Sequence, residues 1–345
     1  MKILLSAERD TSFVGAYLRK MTEALAPHEV SVSSAGWREV LREGARSFDR
    51  VHFVFVPGRS LSQLREVIDV ELGATATTVS LSTFGLHDVL KEPVAGAAFS
   101  ALASHPRVAR ILVHSNAPRR AQSAAAGLFD PSYDSVRFVH DPIYDDPLEF
   151  TVSREEARRS LGVAQGSVVA LYFGTFGREK GADLLFDAMR ELVDLPSLVL
   201  AAVGRSPPRI ALALPPNVIR DDRFVDYPTA ARWFRATDVV VLPYRRDYDH
   251  NTSGVLVQAA LAERPTLAPD IAPFADVAAE YGTGKTFACE DVGSLASRLR
   301  ELVQEPWAVE PAGHRRYVAA IESWATLAAE LVPASCGRLA HAGRR

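Results

Sequence analysis

Val239 to Asp270, VVVLPYRRDYDHNTSGVLVQAALAERPTLAPD, holds in order a strand, a polar loop, a helix and the start of another strand. Val239 to Pro243 is a short apolar run closed by a breaker, the pattern of a strand buried on both faces. Tyr244 to Thr252 is polar. Ser253 and Gly254 then open a helix, VLVQAALA, with apolar residues on most of its faces. Glu263-Arg264-Pro265 ends that helix, and Thr266 to Ala268 leads into the next strand. In a parallel α/β domain such a loop lies at the carboxyl end of the sheet, where ligands bind. Small residues there let backbone N–H groups approach an anion, and the helix dipole favours negative charge. A phosphate fits that chemistry. A plain N-cap with a glycine in the turn is the structural alternative.

Upstream, Val168 to Phe173 is a buried strand followed by Gly174-Thr175-Phe176-Gly177-Arg178-Glu179-Lys180-Gly181 and a helix, ADLLFDAMREL. Glycines and two cations between a strand and a helix make a second anion site. It is not a Walker A loop, because no Gly-Lys-Ser/Thr occurs in it. Gly282-Thr283-Gly284-Lys285-Thr286 does contain that triplet. Ala279 stands where the first glycine would be needed and no strong strand precedes, so the segment reads as a turn. Leu198 to Val203 is a strand ending in Gly204-Arg205. Val218-Ile219 and Phe224-Val225 are short extended pieces, and Ala230 to Ala236 is a helix.

The first half alternates in the same way. Strands are expected at Lys2 to Ser6, Glu29 to Ser33, Val51 to Val56, Thr77 to Leu81, Arg110 to His114 and Val136 to Val139. Helices are expected at Thr11 to Leu25 (with Phe13, Tyr17, Leu18, Met21 and Leu25 on one face), Leu61 to Leu72 and Ala117 to Leu128. This pattern implies a doubly wound parallel sheet. No GxGxxG follows the first strand, so a dinucleotide fingerprint is absent. The loop Ser82 to Asp88 follows a strand and holds His87 and Asp88, which suits site residues or a surface histidine beside a capping aspartate. His52, inside a strand, reads as structural. Pro118-Arg119-Arg120 reads as a solvated helix start. His140 to Pro147, with two prolines and three carboxylates, reads as a linker. A helix, REEARRSLG, begins the next domain near Arg154. The expected domains are thus 1–146 and 147–320, with 321–345 as a terminal helix and tail.

Composition narrows the function. A chain of 345 residues suggests about two domains. A net charge of −3 gives no global basic field, so nucleic acid is not an expected partner. Cys289 and Cys336 lack metal-ligand spacing, which points to a reducing compartment and against zinc. No apolar run reaches membrane-spanning length, and the apolar run in MKILLSAERD is too short for a signal peptide. The expectation is a cytoplasmic protein, one that can still touch the inner face of a membrane. Asp247-Tyr248-Asp249 has the D-x-D form of a metal motif, but late in the second α/β half, where that motif does not belong.

The spacing from Gly174 to Lys180-Gly181, the ATDVVVLPY strand and SGVLVQAALAERPTLAPD resemble the family 4 retaining glycosyltransferases. FVHDPIYDD and Ser323-Trp324 extend the likeness across most of the chain. The resemblance implies two facing Rossmann-like domains, the GT-B fold, with a C-terminal helix crossing back to the first. It implies transfer of a sugar from a UDP- or GDP-linked nucleotide sugar, with retention and without a metal or other cofactor. The acceptor would be a glycan, a lipid-linked sugar or a small molecule. Carried over by position, Lys180 matches the lysine on the diphosphate, and Ser253 and Gly254 match backbone donors to the distal phosphate. Gly174, Gly177, Asn251, Thr252, Arg205 and Val225 fall beside the expected donor.

Three positions depart from the pattern. Thr175 replaces an arginine, leaving Arg178 as the second cation. Gln258 replaces the glutamate that binds ribose, and a glutamine can still pair with a diol. His250 replaces the glutamate that faces the sugar. The acceptor would lie on the first domain near His87 and Asp88, and closure would exclude water. A nucleotide-sugar epimerase on the same fold, or a partner subunit that has lost catalysis, are the other readings.

Overall fold

The computed structural model describes residues 1–7, 12–44, 46–73, 75–131, 134–143, 152–205, 215–307 and 310–332. The side chain expected from Phe13, linker residues 144–147 and Cys336 lie outside that set. The chain divides into two units: Met1–Tyr144 with Ile321–Arg345, and Asp145–Ala320.

Unit 1 is a six-stranded parallel sheet built from β1 (Lys2–Ser6), β2 (Glu29–Ser33), β3 (Arg50–Val56), β4 (Thr78–Thr83), β5 (Val108–Ser115) and β6 (Val136–His140). Their order is β2-β1-β3-β4-β5-β6. Its helices are α1 (Ser12–Ala24), α2 (Trp37–Gly44), α3 (Leu61–Glu71), α4 (Leu86–Lys91), α5 (Pro93–Ala103) and α6 (Pro118–Ala124). The strands are near-continuous apolar runs because both faces are covered. Val51, Phe53, Val79, Leu81, Ile111 and Val113 pack on Leu64, Ile68, Phe99 and Leu102 of one helical layer. Ile3, Leu5 and Leu112 pack on Tyr17 and Met21 of α1.

Unit 2 starts with α7 (Arg154–Ser160), whose N-terminus has a capping box between Ser153 and Glu156. Its sheet holds β7 (Val168–Phe173), β8 (Leu198–Val203), β9 (Val218–Asp221), β10 (Val239–Val241), β11 (Thr266–Pro269) and β12 (Gly284–Phe287). All are parallel, in the order β12-β11-β10-β7-β8-β9. Between them run α8 (Ala182–Arg190), α9 (Tyr227–Ala236), α10 (Gly254–Leu261) and α11 (Phe274–Tyr281), and α12 (Val292–Gln304) and α13 (Pro311–Ala320) follow β12. The aspartate of the ATDVVVLPY strand is structural. Asp238 accepts from Val169 N at 2.8 Å and from the buried Arg158 at 2.8 Å, and it also pairs with Arg154. Arg158 in turn donates to the carbonyls of Ala236, Gln165 and Ser167. A guanidinium so deep in the fold is tolerated because its donors are shared among a carboxylate and backbone acceptors. The result pins β10 beside β7.

The last helix, α14 (Trp324–Glu330), is capped by Ser323 and belongs to unit 1, where Leu327 and Ala328 join the core beside α1. Trp324 Nε1 donates to Ile143 O at 2.9 Å, and Glu322 accepts from both the backbone N and the ring Nδ1 of His140. Burial would raise the Glu322 carboxyl, but those bonds to His140 outweigh it and hold it below its ordinary range. Among the described residues no helix is long and apolar enough to cross a membrane.

Several expectations are corrected. Ser82 to Asp88 is not a loop: β4 runs to Thr83 and α4 starts at Leu86, so His87 and Asp88 are helical. Gly284-Lys285-Thr286 is not a turn but edge strand β12, in register with β11 from Thr266 opposite Gly284 to Pro269 opposite Phe287. Its glycine and lysine hide the apolar signal that buried strands carry. Phe224-Val225 forms no strand, since the chain there is turning into α9, whose N-cap is Asp226. The helix expected from Ala117 to Leu128 stops at Ala124. The structure adds helices α2, α4, α5, α11, α12 and α13 to those the sequence pattern marks.

Candidate functional site

The strand order of unit 2 reverses direction between β7 and β10: β8 and β9 continue on one side, β11 and β12 on the other. Such a switch point opens a crevice at the carboxyl ends of the two central strands. The two loops singled out in the sequence, after Phe173 and after Pro243, leave the sheet at this point.

They are fastened to each other. Arg178 to Lys180 form a 3₁₀ turn, and Gly181 caps both it and α8 with φ 65°. A Cβ on Gly181 would lie 1.8 Å from Pro243 O, so only glycine lets the loops touch there. Gly174 has φ 122° with open space where a Cβ would point. Arg245 N donates to Glu179 O at 3.0 Å and its Nε to Arg178 O at 3.2 Å. The same guanidinium reaches Asp183 and Glu290. Burial opposes its charge, but the two carboxylates prevail and raise its already high pKa.

Lys180 lies where the loops meet. Its Nζ donates to Tyr248 Oη at 2.8 Å and sits 4.1 Å and 4.0 Å from the ring centroids of Tyr244 and Tyr248. Burial alone would lower its pKa, but the contacts with Tyr244 and Tyr248 outweigh it and hold the group above its ordinary value. Lys180 is therefore an ammonium throughout the physiological range. Among the described residues it has no ion pair with a carboxylate. Tyr244, Tyr248 and Phe274 pack edge-on or tilted around it at ring separations of 4.6 to 6.1 Å. Neither tyrosine was singled out in the sequence. Their signal lay in Pro-Tyr after a buried strand and in a second tyrosine four residues on.

Ser253 caps α10. It is buried, its Oγ accepts from Leu256 N and lies 3.3 Å from Tyr244 Oη. The first amides of α10, at Gly254 and Val255, are those that no helical carbonyl can satisfy. Gly254 is exposed with open space around it. Arg178 and Thr175 are exposed, and Gly177 is half-buried. Arg205 is exposed and its carbonyl accepts from Phe176 N at 3.1 Å, which brings the end of β8 alongside the first loop. Val225, Asn251 and Thr252 are half-buried. Thr252 O accepts from Tyr248 Oη, which joins it to the lysine. His250 has a left-handed φ of 61° and its N donates to Ala272 O at 2.9 Å, a backbone conformation uncommon outside glycine. Gln258 lies on α10, half-buried, a turn beyond Ser253. Among the described residues no three His, Cys, Asp or Glu are grouped to hold a metal, Asp247 and Asp249 included.

His87 and Asp88 belong to unit 1. The Asp88 carboxylate accepts from Arg59 N at 3.2 Å, at a place where Gly58 and Gly85 interlock so tightly that a Cβ on either would meet backbone within 2.4 Å. This fastens the turn after β3 to α4. His52 is structural, as the sequence suggested: it is buried between Ser80 Oγ, at 2.9 Å from Nδ1, and Ser82 Oγ, at 3.1 Å from Nε2.

Residues 167–305 match the family described as glycosyl transferases group 1. A stretch of the chain is 34% identical over 155 residues to a GDP-mannose:glycolipid 4-beta-D-mannosyltransferase of Xanthomonas campestris pv. campestris, covering 41% of the chain and 43% of that protein. Another is 27% identical over 195 residues to a D-inositol 3-phosphate glycosyltransferase of Streptomyces avermitilis, covering 52% of the chain and 41% of that protein. The matches thus span less than half the length of either relative. Among solved structures, Anabaena HepE in complex with UDP-glucose superposes with a TM-score of 0.70 at 15% identity over 96% of this chain and 98% of that one. Sucrose-phosphate synthase from Thermosynechococcus elongatus gives 0.69 at 17% identity over 96% and 97%. These likenesses establish the two-sheet GT-B fold.

Proposed function

We propose, from the premise that residues 167–305 form a group 1 glycosyltransferase domain, that the chain transfers a sugar from a nucleoside-diphosphate sugar to an acceptor. The observation that carries the reading is Lys180: a cation uncompensated by any carboxylate among the described residues, held at a switch point beside a helix N-terminus. Breaking the bond between sugar and phosphate leaves charge on the departing diphosphate. Lys180, Arg178 and the Gly254 and Val255 amides are the groups that would meet it, which needs no metal ion. Gln258 would pair with the ribose hydroxyls and His250 would face the sugar. Donor chemistry follows the relatives, one named for GDP-mannose and one neighbour bound to UDP-glucose, so a GDP- or UDP-sugar is proposed. The acceptor is proposed to be a glycan or lipid-linked sugar taken up by unit 1, and the anomeric outcome to be retention, read by NMR of the product.

The test is thermal melting with UDP, GDP, ADP and dTDP. A ligand at a hundred times its Kd stabilises the folded state by about 2.7 kcal/mol, a shift of several degrees. A rise with UDP or GDP, undiminished by EDTA, is expected. No shift with any of the four at millimolar concentration would sink the reading.

A further inference from the structure

We propose that Tyr248 is a positioning residue for Lys180, a neutral clamp that orients the ammonium toward a diphosphate without neutralising it. This rests on the reading of unit 2 as the diphosphate-binding unit. The phenol oxygen works in two directions: it accepts from Lys180 Nζ at 2.8 Å and donates to Thr252 O, the residue before the α10 cap Ser253. One side chain therefore connects the cation of the first loop to the segment that leads into the α10 amides. Its ring and that of Tyr244 flank the same ammonium, and Phe274 backs both rings. A lysine stem has four rotatable bonds, and fixing it costs entropy that a free chain would lose on binding. Here that loss is taken in the unliganded fold.

The chemistry of the clamp decides its consequence. A carboxylate in place of Tyr248 would hold Lys180 as firmly, but it would cancel the charge and compete with the incoming anion. Aromatic faces and a phenol oxygen stabilise an ammonium through dipole and quadrupole alone, so its formal charge stays available. Asp247 and Asp249 flank the tyrosine, yet neither pairs with Lys180 among the ion pairs of the described residues. The Asp-Tyr-Asp segment that mimics a metal motif thus finds its use in its middle residue.

The experiment is a double-mutant cycle of Tyr248→Phe and Lys180→Ala, read by calorimetric binding of inorganic pyrophosphate, of UDP and GDP, and of uridine and guanosine. Tyr248→Phe keeps the ring and removes both hydrogen bonds of the phenol oxygen. It should weaken pyrophosphate and nucleoside diphosphates about tenfold and leave nucleosides unchanged. In the Lys180→Ala background the same substitution should cost much less, because only the tie to Thr252 O is then lost. Should Tyr248→Phe fail to fold, Tyr248→Leu, which also lacks the phenol oxygen, takes its place in the cycle. Additive losses, equal losses for nucleosides, or wild-type binding in the single variant would overturn the proposal. If pyrophosphate follows the cycle while no nucleotide binds, the clamp stands and the transferase reading fails. If nothing binds to the wild type, both fail.

Discussion

The two units are both six-stranded parallel sheets, in different strand orders, and they place opposite kinds of side chain on their central strands. In unit 2, the ends of β7 and β10 carry glycines, an ammonium and the start of α10. In unit 1, the central strands and α1 carry a buried network of hydroxyls, imidazoles and rings instead. Tyr17 Oη lies 2.8 Å from Ser82 Oγ, Ser82 and Ser80 hold His52, and His114 stacks on Phe84 at 4.2 Å. Burial, reinforced for His52 by His114 and Arg50, pushes both histidines down to about 3. Unit 2 holds a half-buried ammonium at its strand ends, whereas unit 1 buries imidazoles that burial keeps neutral. A shared fold therefore says little about a shared role, and the side chains at the strand ends decide it.

The largest expected effect tests the charged end. Lys180→Ala should lower transfer by about 10²- to 10³-fold, the usual loss on removing one preorganised charge stabiliser. Folding should survive, because a cation at the start of α8 opposes the helix dipole and its removal relieves that. Lys180→Arg should recover only part, since a longer, planar guanidinium does not place its charge where the compact ammonium sits. Single-turnover transfer with a melting curve checks this, and full activity in the alanine variant would return Lys180 to a structural role.

The next effect tests the buried histidines of unit 1. An unfolded histidine titrates near 6.5, whereas His52 and His114 titrate near 3 in the fold. Between those values the unfolded chain binds protons that the folded chain does not, so stability must fall as pH drops from 6.5 toward 3. The slope is about 1.4 kcal/mol per pH unit for each histidine within that window. Hydrogen exchange of the β3, β4 and β5 amides at pH 7, 6 and 5 reads it. His114→Phe, which keeps the stack on Phe84, should remove about half of the slope. A pH-independent unit 1 would show that the histidines are hydrated.

The anion loops were legible because their signals are local: glycine at a turn, a cation before a helix, a small residue at an N-cap. The clamp on Lys180 was not. Tyr248 meets Lys180 across 68 residues of chain, and nothing local in the sequence pairs the two. Strand β12 was missed because Gly284 and Lys285 break the apolar run that a buried strand shows, and its place is set by pairing with β11. Helices α4 and α5 were hidden by Gly85, His87 and Pro93, which resemble turn residues but start helices here. What distance along the chain conceals is the pairing of side chains, and the site depends on that pairing.

The smallest expected effect decides which end of the comparison Asp88 belongs to. Its carboxylate accepts a hydrogen bond from Arg59 N at 3.2 Å, and it stands in the first turn of α4, where a negative charge favours the helix. Asp88→Asn keeps an oxygen that can accept from Arg59 N and loses only the charge. If the residue serves to fasten the turn after β3 to α4, stability should fall by no more than about 1 kcal/mol, the scale of a surface helix-dipole interaction. Transfer should then match the wild type in both kcat and KM. A general base for an acceptor hydroxyl behaves differently: an amide cannot take the proton, and kcat should drop about 10²-fold or more with little change in Tm. Turnover and melting measured on the same preparation separate the two. A selective loss of kcat would carry Asp88 from a structural role in unit 1 into the chemistry, and would give that unit a working carboxylate.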